Sequence, residues 1–210
     1  MKKDYQKRES KEFNKIRGVC QWIACNIVYA PFYKLAYNLK VEGRENVPKD
    51  KMLIIASNHV SAIDPFLVIH AVKRNTAWMA KVELFEKIIG RFFLDILGAF
   101  AVDRTKLSVS TIKTVKGLKN TDWCLGIFPQ GTRERDGNMD NINKGFATFA
   151  KTLKCDILPV AITGVTKNQR KLFKSNMKIT IGKPIPYSEN IEEVVETWCK
   201  TIAELSGGMK

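Results

Sequence analysis

The chain has 210 residues, enough for one domain or one domain with an appended arm, and its 45% hydrophobic content supplies a sizeable core. Lys and Arg outnumber Asp and Glu by 35 to 21, a formal charge of +14, so the expected partners are anionic: nucleic acid, an acidic membrane face or a phosphorylated substrate. Five cysteines (Cys20, Cys25, Cys124, Cys155, Cys199) without a Cys-x-x-Cys pair, and only two histidines, argue against a zinc site or a disulfide framework and fit a reducing, cytosol-facing location.

Residues 1–17 carry seven Lys/Arg against three acids, whereas Gly18 to Tyr33 is uncharged and rich in Trp22, Ile23, Ile27, Val28, Tyr29 and Phe32. Sixteen helical residues reach about 24 Å, short of a hydrocarbon core of about 30 Å. Gln21, Asn26 and the helix-breaking Pro31 weaken a span further. No small-x-small cleavage site follows, as a secretory signal would require. The stretch predicts a bent pair of amphipathic segments in a membrane interface, with basic residues on anionic headgroups and aromatic rings at the boundary. The alternative is a helix packed on the domain's own core. On the first reading residues 1–38 form a helical arm that can be deleted with the remainder, 39–210, still folded.

Leu39 to Gly43 alternates like a short strand, and Pro48 to Lys51 reads as a turn. The apolar run Met52 to Ala56 predicts a buried strand ending in Ser57-Asn58-His59-Val60-Ser61-Ala62-Ile63-Asp64-Pro65. Asp64 before Pro65 predicts a helix start, with the carboxylate as cap and proline first in the helix. Five helical residues would rotate His59 and Asp64 about 140° apart. They meet if His59 sits on the strand-to-helix turn and Asp64 at the helix mouth. A carboxylate on one imidazole nitrogen fixes the tautomer and leaves the other nitrogen as a base. The second histidine, His70, lies within the apolar helix that follows and is expected to be structural.

Further strands are expected at Thr76 to Ala80, Ala99 to Val102, Cys124 to Phe128, Ile157 to Ile162 (with Pro159 marking an edge or bulge) and Met177 to Ile181. Helices are expected at Glu83 to Leu97, from a Ser108 cap through Lys119, at Phe146 to Leu153, and from a capping box at Asn190 and Glu193 to Leu205. The bulky apolar face of the first of these is core or one wall of an alkyl-chain slot. Strands alternating with helices indicate an α/β domain around a mixed, largely parallel sheet flanked by helices.

Four blocks in order resemble the glycerolipid acyltransferase family, specifically its bacterial 1-acyl-sn-glycerol-3-phosphate acyltransferases. They are Asn58-His59-x4-Asp64, Gly98 to Arg104, Phe128-Pro129-Gln130-Gly131-Thr132-Arg133, and Ile157 to Ile162. Gln130 stands where that family usually has glutamate; it cannot carry charge but can still accept a hydrogen bond or organise the loop. The resemblance implies transfer of an acyl chain from a carrier-protein or coenzyme A thioester to the sn-2 hydroxyl of lysophosphatidic acid, giving phosphatidic acid, with no cofactor. His59 would take the hydroxyl proton, and Asp64 would hold and stabilise it. Arg133, Arg104 and Lys81 would bind phosphate, Gly131 and Thr132 shape its loop, and Asn58 and Gln130 support the site. Backbone amides near Gly131 would serve the tetrahedral oxyanion. No nucleophile elbow is present, so direct transfer without an acyl-enzyme is expected. The implied location is peripheral, on the cytoplasmic face of the cell membrane. Competing readings are a glycerol-3-phosphate or other lysophospholipid acyltransferase, an inactive lipid-binding module, and a basic nucleic-acid-binding protein; the scattered positive charge disfavours the last, and no nucleic acid is expected.

Overall fold

The computed structural model describes residues 7–86, 88–102, 108–133, 141–164 and 171–208. Arg104 lies outside the described residues. The strands are β1 (Lys40–Glu42), β2 (Ile54–Ser57), β3 (Thr76–Lys81), β4 (Phe100–Val102), β5 (Cys124–Ile127), β6 (Ile157–Thr163) and β7 (Lys178–Ile181). They form one sheet in the order β1-β7-β6-β2-β5-β3-β4, in which the β6–β7 pair is antiparallel and the other pairings are parallel. The α-helices are α1 (Lys15–Ile23), α2 (Ala30–Tyr37), α3 (Asp64–Val72), α4 (Ile88–Ile96), α5 (Val109–Leu118), α6 (Gly145–Leu153) and α7 (Ile191–Ser206).

The order of strands explains where the helices lie. From β2 through β3 to β4 the chain moves toward one edge of the sheet; from β4 through β5 to β6 it moves back. Right-handed crossovers therefore place α3 and α4 on one face and α5 and α6 on the other. The two buried clusters follow: Leu53, Ile55, Trp78, Leu158 and Ile179 pack on the α3 side, while Ile54, Ala56, Ala77, Leu125 and Ile157 pack under Trp123, Phe146 and Trp198. Strand residues alternate between faces, so Leu53 and Ile55 serve one core and Ile54 and Ala56 the other. β2 and β5 are neighbours whose following helices lie on opposite faces. That is the switch point where open α/β sheets present their ligand crevice.

The amino-terminal segment is a bent pair of helices. α1 and α2 are joined by a wide turn, the π-helix Ala24–Tyr29, in which the Ala30 amide donates to the Cys25 carbonyl. The segment is stitched into the domain. Arg8 is buried and donates to the Ala99 carbonyl at 2.9 Å and to Asp95 at 2.7 Å. Gln21 is fully buried and bridges the Thr76 and Leu97 carbonyls and the Thr76 amide at 2.8–3.0 Å. The described part of this segment, residues 7–38, thus packs on the domain, the alternative to a free-standing arm. Its outward face is nonetheless apolar: Ile16, Val19, Trp22, Ile27, Val28, Phe32 and Leu35 are all at least half or nearly half exposed. The usual amphipathic arrangement is inverted, with polar Gln21 inward and large hydrophobic groups outward. Among the described residues no helix is long and apolar enough to cross a membrane.

His70 has a structural role, as its setting in an apolar helix predicts. Arg44 Nη2 lies 3.2 Å from His70 Nε2, and Asn26 Oδ1 lies 2.8 Å from Nδ1. Arginine can only donate, so Nε2 accepts and Nδ1 carries the proton that Asn26 receives. Burial, reinforced by the positive charges of Arg44, Lys34 and Lys73, lowers its pKa from 6.5 to about 4.

One local expectation fails for an identifiable reason, and another resolves to one of its two alternatives. The helix expected over Glu83 to Leu97 is a 3-10 turn, Val82–Phe85, followed by α4; Phe85 turns into the core and Arg91 Nε donates to its carbonyl, ending the turn. Pro159 lies not on an edge but beside a one-residue slip in the β6–β7 register, the bulge alternative: Val160 pairs with Ile181 and Ile157 with Ile185. The Pro159 carbonyl accepts from the Gly182 amide, so the missing N–H falls in an irregular stretch between ladder and bridge where no donor is needed.

Candidate active site

Ser57 ends β2, and Asn58 then turns away from the strand. Its buried side-chain amide completes the sheet: Nδ2 donates to the Ile162 carbonyl at 2.9 Å, and Oδ1 accepts from the Ile162 amide at 2.7 Å. This bolts the start of the loop to β6, so the following residue leaves the strand at a fixed angle. That residue is His59.

Asp64 does not cap α3. The helix begins at Asp64 itself, Ile63 occupies the cap without a side-chain bond, and Pro65 follows in the first turn. The carboxylate folds back into the loop instead. Its Oδ2 receives three donors: the Val60 amide at 2.7 Å, the Ser61 amide at 2.8 Å and His59 Nδ1 at 2.8 Å. Asp64 is fully buried, and its Oδ1 has no hydrogen-bond partner among the described residues. A carboxylate oxygen that accepts at Nδ1 fixes the imidazole tautomer and leaves Nε2 to accept a proton.

The third motif loop follows β5. Gln130 is nearly buried, and its Oε1 accepts from the His59 backbone amide at 2.6 Å. The family glutamate's place is therefore filled here by an acceptor that organises the loop, a role a neutral amide can perform. The Gly131 amide donates to the Phe128 carbonyl at 2.9 Å, so it is committed to the turn and does not serve an oxyanion. Gly131 itself has φ +71, and a side chain there would project into open space.

His59 opens into a cavity of about 700 Å³ between α3, α4 and the β3–β5 ends, with Pro65, Phe66, Phe93, Leu94 and Leu97 among its mostly apolar walls. Lys81, Thr132 and Arg133 lie on the same cavity. Thr132 and Arg133 are exposed; Lys81 is also exposed and pairs with Glu83 at 2.8 Å. The structure thus brings together His59, Asp64, Asn58, Gln130, Gly131, Thr132, Arg133 and Lys81.

A family model described as Acyltransferase matches residues 38–163. The 1-acyl-sn-glycerol-3-phosphate acyltransferase of Bacillus subtilis (strain 168) is 33% identical over 177 residues, covering 80% of this chain and 87% of that protein. The enzyme of the same name from Streptococcus pneumoniae (strain ATCC BAA-255 / R6) is 30% identical over 169 residues, 79% of this chain and 62% of that protein. This chain belongs to the acyltransferase family. Its fold matches the crystal structure of the 1-acyl-sn-glycerophosphate (LPA) acyltransferase PlsC from Thermotoga maritima, with a TM-score of 0.69 over 90% of this chain and 76% of that one, at 23% identity. The chain spans 56% of the length of another relative, the 1-acyl-sn-glycerol-3-phosphate acyltransferase of Borreliella burgdorferi (strain ATCC 35210 / DSM 4680 / CIP 102532 / B31).

In this acyltransferase the imidazole is also held from its face. Phe128 stacks on His59 with ring centroids 4.0 Å apart and planes 15° from parallel, and Trp78 stacks on the far side of Phe128 at 4.5 Å and 15°. Three rings in a row restrict rotation of the imidazole about the Asp64 bond. Neither Phe128 nor Trp78 is a site residue on sequence grounds alone. Phe128 stands in the third motif, but only the sheet register, in which Trp78 faces Gly126, brings Trp78 to it. Gly126 is required there, because a side chain would strike the Trp78 ring at 2.6 Å.

Proposed function

We propose that this acyltransferase moves an acyl chain from a thioester to the sn-2 hydroxyl of a 1-acyl-sn-glycerol 3-phosphate, giving phosphatidic acid and a thiol. The observation that carries this reading is a tautomer-fixed imidazole opening into an apolar cavity with Arg133 and Lys81 beside it. The cavity suits an alkyl chain, and the cations suit a phosphate.

An alcohol is a weak nucleophile at neutral pH and needs its proton removed as it attacks. His59 Nε2 accepts that proton while the oxygen attacks the thioester carbonyl. The Asp64 carboxylate stabilises the imidazolium. As the tetrahedral intermediate collapses, the C–S bond breaks and His59 returns the proton to the departing thiolate. Arg133 holds the acceptor phosphate, its planar fork matching two oxygens. Lys81 contributes positive charge, tempered by its pairing with Glu83.

The acceptor is delivered from a membrane surface. The outward apolar face of α1 and α2, together with exposed Phe92, Phe93 and Phe173, enters the interface of an anionic bilayer, where the basic residues of the chain meet headgroups. This supports peripheral attachment at the cytoplasmic face of a membrane.

Thiol release from acyl thioesters is measured for purified wild type and His59→Ala in anionic vesicles, with lysophosphatidate or glycerol 3-phosphate as acceptor. Lysophosphatidate-dependent release by wild type and its loss in the folded variant are expected. Faster release with glycerol 3-phosphate would reassign the acceptor, and unchanged release in the variant would end the role given to His59.

A further inference from the structure

A second cavity, of about 310 Å³, lies on the opposite face of the sheet, between α6 and the ends of β3, β4 and β5. It is lined by Val102, Ile127 and Phe149, with exposed Asn143 and Thr148 as its polar groups. It shares Met79, Ala80, Phe128 and Gly131 with the His59 cavity. The two cavities thus meet at the switch point, where Gly131 leaves open the space a side chain would fill.

Resting on the function proposed above, we infer that this second cavity binds the pantetheine arm of the acyl donor, so that the thioester lies at the seam beside His59. The two faces of the molecule differ in the way this requires. The large exposed hydrophobic residues cluster on the side of α1, α2 and α4, which is the side of the His59 cavity. The opposite side presents α5, α6 and α7; its exposed cations include Lys113 and Lys116 of α5, while Lys144, just before α6, pairs with Glu192 of α7 at 2.8 Å. A lipid acceptor comes from the apolar side. An acyl donor carried by coenzyme A or by an acidic carrier protein is water-borne and negatively charged, and approaches from this polar side, where Lys113 and Lys116 are exposed. The arm common to both is a slender chain of methyl, methylene and amide groups. A cavity mostly apolar but with an amide and a hydroxyl on its lining matches that mixture. The acyl chain then runs from the seam into the larger cavity, and the thiol leaves by the way the arm came in.

Thr148 is exposed on α6 and lines only the second cavity, so Thr148→Trp fills it without touching the core. The measurement is the ratio of kcat/KM for a full-armed donor to that for the same acyl group on N-acetylcysteamine, with lysophosphatidate in anionic vesicles. Both acyl-coenzyme A and acyl-carrier protein are used, and the one that turns over identifies the bearer. Wild type should prefer the full arm by about tenfold or more, because binding of remote groups is spent at the reacting centre. In Thr148→Trp the preference should shrink to within about threefold. The ratio is taken within one variant, so partial misfolding cancels. An S-alkyl pantetheine thioether should compete with the donor in wild type and weaken by a similar factor in the variant. An undiminished ratio, or a KM increase confined to lysophosphatidate, overturns the inference while leaving the proposed function standing. Absence of thioester turnover in wild type overturns both.

Discussion

Replacing Asp64 with asparagine separates two contributions that a carboxylate usually makes together. All three donors of the loop meet on Oδ2, and Oδ1 is buried without a partner. An asparagine whose oxygen occupies the Oδ2 position keeps every one of these bonds and therefore keeps the imidazole tautomer. The flipped amide would set its NH2 against two backbone N–H groups and is excluded. What is lost is charge. A hydrogen bond to a charged group is worth about 1–2 kcal/mol more than a neutral one, and the imidazolium loses its counter-charge besides. A combined loss of about 3 kcal/mol in the transition state corresponds to a kcat lower by on the order of 100-fold. Where a carboxylate-to-amide change flips the tautomer, as in serine proteases, the loss is about ten-thousand-fold. The amide NH2 also lands in the unpartnered Oδ1 position. That costs about 1–3 kcal/mol of stability, a fall in Tm of about 2–12 °C for a chain of this size. Steady-state thiol release and thermal melting check both numbers. A variant as inactive as His59→Ala, or one retaining more than half of wild-type kcat, would refute the division between charge and tautomer.

Gln130→Ala should lower kcat about tenfold by stranding the His59 amide, whereas Gln130→Glu, which keeps an acceptor, should stay within about threefold of wild type in the same assay. Arg133→Ala should raise the KM for lysophosphatidate about tenfold or more and leave that for the thioester nearly unchanged, as titration of each substrate in turn will read. Exchanging Trp22, Ile27 and Phe32 together for serine should abolish co-sedimentation with anionic vesicles with little change in Tm, since these side chains are exposed. His70 takes up its proton near pH 6.5 when unfolded but only near pH 4 when folded, so the unfolded state binds more protons between those values. Stability should therefore fall by roughly 3 kcal/mol as the pH drops through that window. Denaturant melts of His70→Gln should show a shallower slope there. Asp95 adds to the acid sensitivity: burial alone would raise its pKa, but hydrogen bonds from Arg8 and Arg17 hold it below the usual carboxylate range. Stability from that group is present above the ordinary carboxylate pKa and is lost as the pH falls through its lowered one.

The pairing of His59 with Asp64 was legible in the sequence because a strand end, a five-residue gap and a proline leave few ways for the chain to turn. Its detail was not. The carboxylate reads as a helix cap by local rules, and only the folded loop shows that three donors outcompete the helix for it. Gln130 shows the same limit: its residue type allows an acceptor, but its partner, the His59 amide, lies 71 residues away. Trp78 was hidden for a different reason, since its place beside Phe128 depends on strand register across β3 and β5, which no local pattern encodes. The packing of the amino-terminal segment was hard to read because Trp22, Ile27 and Phe32 outweigh Gln21 and Arg8 in any measure of hydrophobicity. Those two polar residues, hydrogen-bonded inside, decide that the segment belongs to the domain. The alternation of strands and helices carried the sheet class, because periodicities of 2 and 3.6 are local properties.

The wide turn between α1 and α2 holds one more residue than an ordinary helical turn would. Excising a single position from Ala24–Tyr29 would let the coil close normally and swing everything after it by about 100° around the rod axis. Phe32 and Leu35 would then lose their alignment with Ile16 and Trp22, and the greasy stripe would split into two patches looking in different directions. One peptide unit thus keeps the exposed hydrophobic residues of the two rods on a single face.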